Sequence, residues 1–438
     1  MAEHLQELRH GWPVLSVSVC SYFLLACLHS HVGPLLMLDV TSDLGMSITT
    51  YTLALGFGNL AKCVLLIVTG PAMDRFGAHN VANTTLAAGT LLVALLASAA
   101  GRNVFIGAII LLTASSAFAE QPTYVVINAS HLHTLLSFAT SCITSSFSAS
   151  GAVLPLVLAP ALEASGWRTA SWCVAAACAI MLPLAILVLK PGSLSVGCGG
   201  ASDAKQVGTS DVTAKEALQG STLWLLMAAL YTHLVYGATI TSHLLTALRT
   251  DAGLSLADAA AVMALQFGSA IFAKLITGAL IALPSPPHTF LFSAAPLGYW
   301  ASHLLLLELD GQALSSFDVA HGLKVVSNMR RLQLYAVLVG FTFGIVFALI
   351  QCLPIRLFGR RDLPTLQSLM YISVLLGNAT VIPLMGFLRD SFGQTYAVPF
   401  AVTFVASMLE IALLRILMHR DLAATSSYRY SPLWCSST

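Results

Sequence analysis

Gly70-Pro71-Ala72-Met73-Asp74-Arg75-Phe76-Gly77 separates two apolar stretches. Each is roughly twenty residues long, the length a helix needs to cross a bilayer core. A glycine at either end and an Asp-Arg pair between them make a short, charged turn. The glycines let two helix ends approach closely, and the Asp74 carboxylate is placed to cap N–H groups that open the next helix. The stretch therefore predicts a membrane hairpin with Gly70, Asp74, Arg75 and Gly77 at its tip, as candidate gating residues.

The rest of the chain agrees with a bilayer setting. Of its 438 residues 57% are apolar and 9% charged, and the mean hydropathy is +0.83. Soluble domains carry roughly a quarter charged residues, so an integral membrane protein is expected. A formal net charge of +1 offers no basic surface for nucleic acid. Cysteines such as Cys20, Cys27, Cys63, Cys142, Cys173, Cys178 and Cys352 are scattered through apolar stretches without a CxxC pair. They read as small packing residues, with neither a disulfide framework nor a metal site. The polar start runs into an apolar stretch too long for a cleavable signal, so none is expected. The sequons at Asn83, Asn128 and Asn378 fall in spans or in a cytosolic loop, so glycosylation is not expected either.

Hydropathy windows of about nineteen residues predict twelve spans. They are 12–38, 48–69, 80–100, 104–126, 135–162 and 169–189, then 221–248, 257–283, 288–308, 334–357, 365–388 and 396–418. The expected division is a first six-helix bundle (1–189), a polar cytosolic linker (190–220), a second bundle (221–418) and a short cytosolic tail (419–438). The loop 309–333 is charged and long enough for a short surface helix. Internal repetition supports the division. Val153-Leu154-Pro155-Leu156 recurs as Val381-Ile382-Pro383-Leu384, with Gly166 and Gly393 following. Lys62 recurs as Lys274, and each leads to a Thr-Gly pair. With both termini cytosolic, eleven Lys/Arg lie inside and seven outside, a modest bias in the usual direction.

Lysines in mid-membrane cost several kcal/mol on insertion scales unless they face water or a counter-ion. Lys62 and Lys274 are two such residues, and few acids are available inside the spans, Glu120 and Glu410 among those away from the span ends. Two cations with little buried acid predict an electropositive cavity suited to a carboxylate. Pairing of Lys62 with Glu120 as a structural bridge is the competing reading. His29, His31, His233, His243 and His303 lie in spans, where an imidazole titrating near neutral pH is a candidate proton carrier. Tyr231, Tyr236 and Gln266 are candidate hydrogen-bond donors to a substrate. Neither a nucleotide cradle, nor a Ser-His-Asp arrangement, nor a set of metal ligands is evident, so no enzyme activity and no cofactor are expected.

The Gly70–Gly77 turn resembles the loop between helices 2 and 3 of the major facilitator superfamily of secondary transporters. The resemblance covers nearly the whole chain. It implies an all-α membrane fold of twelve helices in two pseudo-symmetric six-helix bundles, working by alternating access. A narrower resemblance, resting on about thirty residues, is to monocarboxylate porters. Ala273-Lys274-Leu275-Ile276-Thr277-Gly278 is similar to their Ala-Arg-Pro-x-x-Gly segment. Gly11-Trp12, Gly166-Trp167-Arg168 and the Gly386–Gly393 turn are similar to further motifs of that branch. Carried over, Lys274 is the carboxylate-binding cation and His31 stands where the branch has a span-1 cation. Departures are Lys for Arg, Leu275 for proline, and Ala270 for the acid used in proton coupling. Met73-Asp74-Arg75-Phe76-Gly77 and the Ser/Ala-rich fifth span also resemble facilitative neutral amino-acid transporters, including those of protozoan parasites.

The expectation is a carrier of a small organic anion, monocarboxylate-like, in a plasma membrane, with a proton as candidate coupling ion. Lys274, Lys62, His31, Tyr231 and His233 are the candidate substrate-binding residues. Glu120 joins the candidate gating set, in which Arg75 or Asp74 pairs with the ends of spans 4 and 11 when the carrier is open outward. A neutral amino-acid facilitator is the alternative substrate class, and a non-transporting membrane sensor the alternative kind of protein.

Overall fold

The computed structural model describes residues 2–132, 136–190, 212–281, 288–309, 323–358 and 362–427. The described residues of the twelve predicted segments lie mainly in helix. The first half contains α1 (Ala2–Cys27), a π turn (Leu28–Val32), α2 (Gly33–Asp43), α3 (Ile48–Phe76), α4 (Ala78–Ala97), α5 (Arg102–Ser115), α6 (Gln121–Ala129) and α7 (Leu136–Val188). After the short α8 (Ala214–Gln219), the second half contains α9 (Ser221–Thr250), α10 (Leu256–Ile281) and α11 (His288–Leu306). The strands β1 (Leu307–Leu309) and β2 (Leu323–Val325) follow, then α12 (Met329–Phe358), α13 (Leu363–Ser391) and α14 (Ala397–Ser427).

Nine helical stretches among the described residues are long and apolar enough to cross a membrane, ten if the bent α1–α2 pair is one crossing. One of the nine is α7, which Gly166 breaks into two lengths at φ 77°. That left-handed conformation suits glycine because it has no Cβ to clash. Two other interruptions shape the first half. Pieces of α1 and α2 meet at 43° across the π turn, where Pro34 opens α2. Between α5 and α6 the chain narrows to a 3₁₀ turn and then leaves the helix at Glu120 (φ −72°, ψ 167°), with Pro122 in the first turn of α6. Proline lacks the N–H that a helix interior needs and is tolerated at such a start.

One local expectation is corrected. Gly70, Pro71, Asp74 and Arg75 lie on the last turns of α3, which runs to Phe76, and the break is confined to Gly77. Gly77 itself opens α4, without a side-chain cap from Asp74, and nothing crowds Gly70. The 309–333 loop is bracketed by an antiparallel pair, Leu307 opposite Val325 and Leu309 opposite Leu323; the short surface helix expected within it falls on residues 310–322, outside the described residues. Residues 191–211, 310–322 and 428–438, and with them most of the predicted linker and about half of the tail, lie outside the described residues. At the end of the linker α8 is opened by a capping box of Thr213 and Glu216.

Packing follows the repeat. Across the halves α3 lies on α13, and α7 on α10. The sequence repeat equates α3 with α10 and the first length of α7 with α13, so these are one contact made twice. At the first, a Cβ on Gly56 would stand 2.5 Å from Pro383; at the second, one on Gly151 would stand 2.6 Å from Phe267. The tightest seam is within the second half. Gly340 and Gly344 on α12 face Gln266 and Ala270 on α10 so closely that any side chain would strike their carbonyl oxygens. Small residues four apart let membrane helices dock backbone to backbone. Large apolar side chains such as Ile67, Leu91, Ile180, Phe272 and Val405 are exposed, as a lipid-facing surface requires.

Candidate substrate site

The α10–α12 seam sets Lys274 beside the rings of α12. Lys274 is buried, at 6% exposure. Its Nζ lies 4.3 Å from the Phe347 ring centroid, 5.9 Å from Phe343 and 5.8 Å from Phe147 on α7, distances at which ring quadrupoles attract a cation. It donates to Ser148 Oγ (2.8 Å) and the Thr144 carbonyl (3.2 Å), both on α7 in the other half. Among the described residues no carboxylate stands within ion-pair distance of it. Four aromatic and hydroxyl groups thus hold a positive charge that no acid cancels.

Lys62 has the equivalent place in α3 and a different environment. It forms a buried ion pair with Glu120, whose other oxygen accepts from the Tyr371 hydroxyl of α13 (2.8 Å). The break before α6 is what turns Glu120 inward. The expectation of two uncompensated cations is therefore corrected: Glu120 balances Lys62, and the open charge is at Lys274. Glu120, placed by the sequence among the gating residues, links the halves through Tyr371.

His31, on the π turn, joins the Lys274 cluster. Its ring centroid is 4.7 Å from both Phe147 and Phe267, and Nε2 donates to the Phe147 carbonyl (3.1 Å). Its Nδ1 is buried with no hydrogen-bond partner. Tyr231 and His233 are not brought into contact with Lys274. Tyr231, at 37% exposure, bonds Thr380 on α13 (2.9 Å). His233 turns into the second half, where Nδ1 lies 3.1 Å from Glu410 Oε1. His243 is tied to Ile382 and Tyr396, and the His29 side chain lies outside the described ones. The sequence reading missed Thr144, Ser148, Phe147, Phe343 and Phe347. Phe347 had a signal: a shift of 227 residues carries Gly166 to Gly393 and also Glu120 to Phe347.

At the end of the bundle that holds the α2–α3 turn, the halves are joined. Asp39 pairs with Arg249 of α9 (3.0 Å), and Asp390 of α13 accepts from Thr49 N (3.0 Å) and Oγ1 (2.7 Å). At the opposite end Asp74 and Arg75 are exposed, and among the described residues neither makes an ion pair; the Arg75 guanidinium rests 5.4 Å over Phe76. The pairing expected of them for an outward-open carrier is absent from this conformation.

Long apolar helices, two repeated halves and a buried cation at their junction define an integral, multi-pass membrane protein. Residues 18–320 match the Major Facilitator Superfamily, and the chain belongs to it: a membrane transporter acting on small molecules. No curated protein matches the chain.

Proposed function

We propose that the protein carries a small organic anion, monocarboxylate-like, across the membrane by alternating access of two six-helix bundles, twelve spans in all. Both termini are cytosolic in this reading, and a plasma membrane is the expected setting. The observation that carries it is Lys274. A buried ammonium ringed by Phe147, Phe343 and Phe347, with hydroxyl and carbonyl acceptors but no carboxylate among the described residues, is electrically complete only with an anion beside it. His31 adds an unpaired ring nitrogen nearby. Lys62, paired with Glu120, serves structure in this reading, and Asp74 and Arg75 close the cytosolic side in the alternate state.

The test is uptake of labelled lactate, pyruvate, oxalate and neutral amino acids into proteoliposomes, for wild type and Lys274→Gln. A charged hydrogen bond contributes about 1.5–3 kcal/mol, so the variant is expected to raise half-saturation for the carried anion by roughly ten- to a hundredfold. Uptake of neutral amino acids that Lys274→Gln leaves unchanged would overturn the anion reading and favour the amino-acid facilitator.

A further inference from the structure

The second half contains a buried ionisable pair that the transport reading does not use. His233 on α9 and Glu410 on α14 are 2% and 1% exposed and meet at 3.1 Å. His233 Nε2 and Glu410 Oε2 are both buried without a hydrogen-bond partner. Two such atoms, one on a base and one on an acid, carry a high desolvation cost unless something binds them. With a neutral imidazole the pair carries one buried negative charge, which a single proton on Oε2 neutralises.

The surroundings select that ligand over a metal or an organic ion. Towards the pair α11 presents Tyr299, whose ring is 5.4 Å from His233 and whose hydroxyl is also unpaired. Tyr236 of α9 bonds Ser302 of α11 (2.8 Å), His303 is tied to Thr403 of α14 (2.8 Å), and α12 adds Tyr335 and Phe343. From α13, packed along α9, come Gly377 against Leu234 and Thr380 bonded to Tyr231, neither ionisable. Among the described residues no group of three metal-type ligands exists. Among the described residues a charge approaches across Phe343, that of Lys274 on α10: His233 stacks on that ring at 6.1 Å and 20°, and Nζ of Lys274 lies 5.9 Å from its centroid.

We propose that His233 and Glu410 are a proton-binding site coupled electrostatically to Lys274 through Phe343. This rests on reading Lys274 as the anion site. The proton comes from the aqueous phase, bonds to Glu410 Oε2, and returns to water on the other side, so no bond other than O–H forms or breaks. Lys274 opposes the added positive charge, and an anion seated on Lys274 removes that opposition. Anion binding therefore favours protonation and, by linkage, protonation favours anion binding to the same degree. Cargo and proton then travel together.

The experiment is pH-difference infrared spectroscopy of the full-length protein in lipid, across about pH 5 to 8, the range in which imidazole pairs titrate. Wild type is expected to show a protonated-carboxyl band that Glu410→Gln abolishes and His233→Gln displaces in pH. Lys274→Gln should retain the band and move its midpoint up by roughly one pH unit. No carboxyl band that depends on Glu410, or a midpoint that ignores Lys274→Gln, overturns the proposal. Glu410→Asp, which keeps the carboxyl, controls for a glutamine variant that fails to fold. The readout needs no substrate, so a titrating pair in a protein that moves no anion would sink the anion reading alone. Anion uptake indifferent to a proton gradient and to Glu410→Gln would sink the proton site alone.

Discussion

Lys62 and Lys274 stand 212 residues apart in equivalent helices, and the first faces Glu120 where the second faces Phe347. Equivalent positions of the two halves thus hold one neutralised lysine and one with no carboxylate partner among the described residues. The asymmetry, rather than the presence of buried lysines, points to a site.

Restoring the symmetry should silence it. Phe347→Glu gives Lys274 the carboxylate that Lys62 already has, and the new pair competes with any anion for the same charge. Anion uptake is expected to fall at least tenfold, while the detergent melting temperature stays within a few degrees of wild type. Undiminished uptake would mean that Lys274 is not where the anion sits.

Glu120 is needed for stability. Glu120→Ala leaves an ammonium buried without its acid, which costs about 3–5 kcal/mol. The double variant Lys62→Met, Glu120→Leu removes both charges and should recover most of that loss. Thermal unfolding of the three proteins checks the cycle. A double variant that melts like wild type yet does not transport would assign Lys62 a direct role.

Asp39 and Arg249 are partly exposed, at 34% and 23% for the side chains, so their pair contributes about 1 kcal/mol at most. That is enough to bias two states of similar energy. Thr246 and Met37 touch just beneath it (3.8 Å). A cysteine at Thr246 is expected to react several-fold faster with a water-soluble thiol reagent when Asp39→Asn is added, read as modification of that peptide by mass spectrometry. Equal rates would show that the pair does not hold this end shut.

Gly340 is predicted to tolerate nothing larger. Overpacking a tight core costs about 1–3 kcal/mol, occasionally more, and Gly340→Leu would force α12 off α10 altogether. Loss of the folded monomer in size-exclusion chromatography is the expected result. A well-folded Gly340→Leu protein would refute the close seam.

The twelve apolar segments, the repeat and the two mid-membrane lysines are legible in the sequence because a bilayer demands long apolar helices and penalises charge. What escaped is what depends on rotation about a helix axis. Hydropathy places His233 and His31 in comparable spans, but only packing turns one towards Glu410 and the other towards Phe147 and Phe267. Phe343 and Phe347 read as ordinary apolar residues until Gly340 and Gly344 bring α12 against α10. The turn at Gly70–Gly77 was misplaced because Gly70 and Pro71 look like breakers, whereas the helix tolerates both and stops at Gly77.

The bonds from Lys274 to Thr144 and Ser148 cross between the halves, while its aromatic neighbours Phe343 and Phe347 travel with it on the α10–α12 seam. Any rocking that parts α7 from α10 strips the ammonium of both oxygen acceptors at once and leaves it only rings. If the protein is the anion carrier proposed above, its own lysine latches the unloaded state, and a bound anion is the key that replaces the lost oxygens. Swapping one anion for another across the membrane should then outpace net release into anion-free buffer, and Lys274→Gln should bring the two rates together.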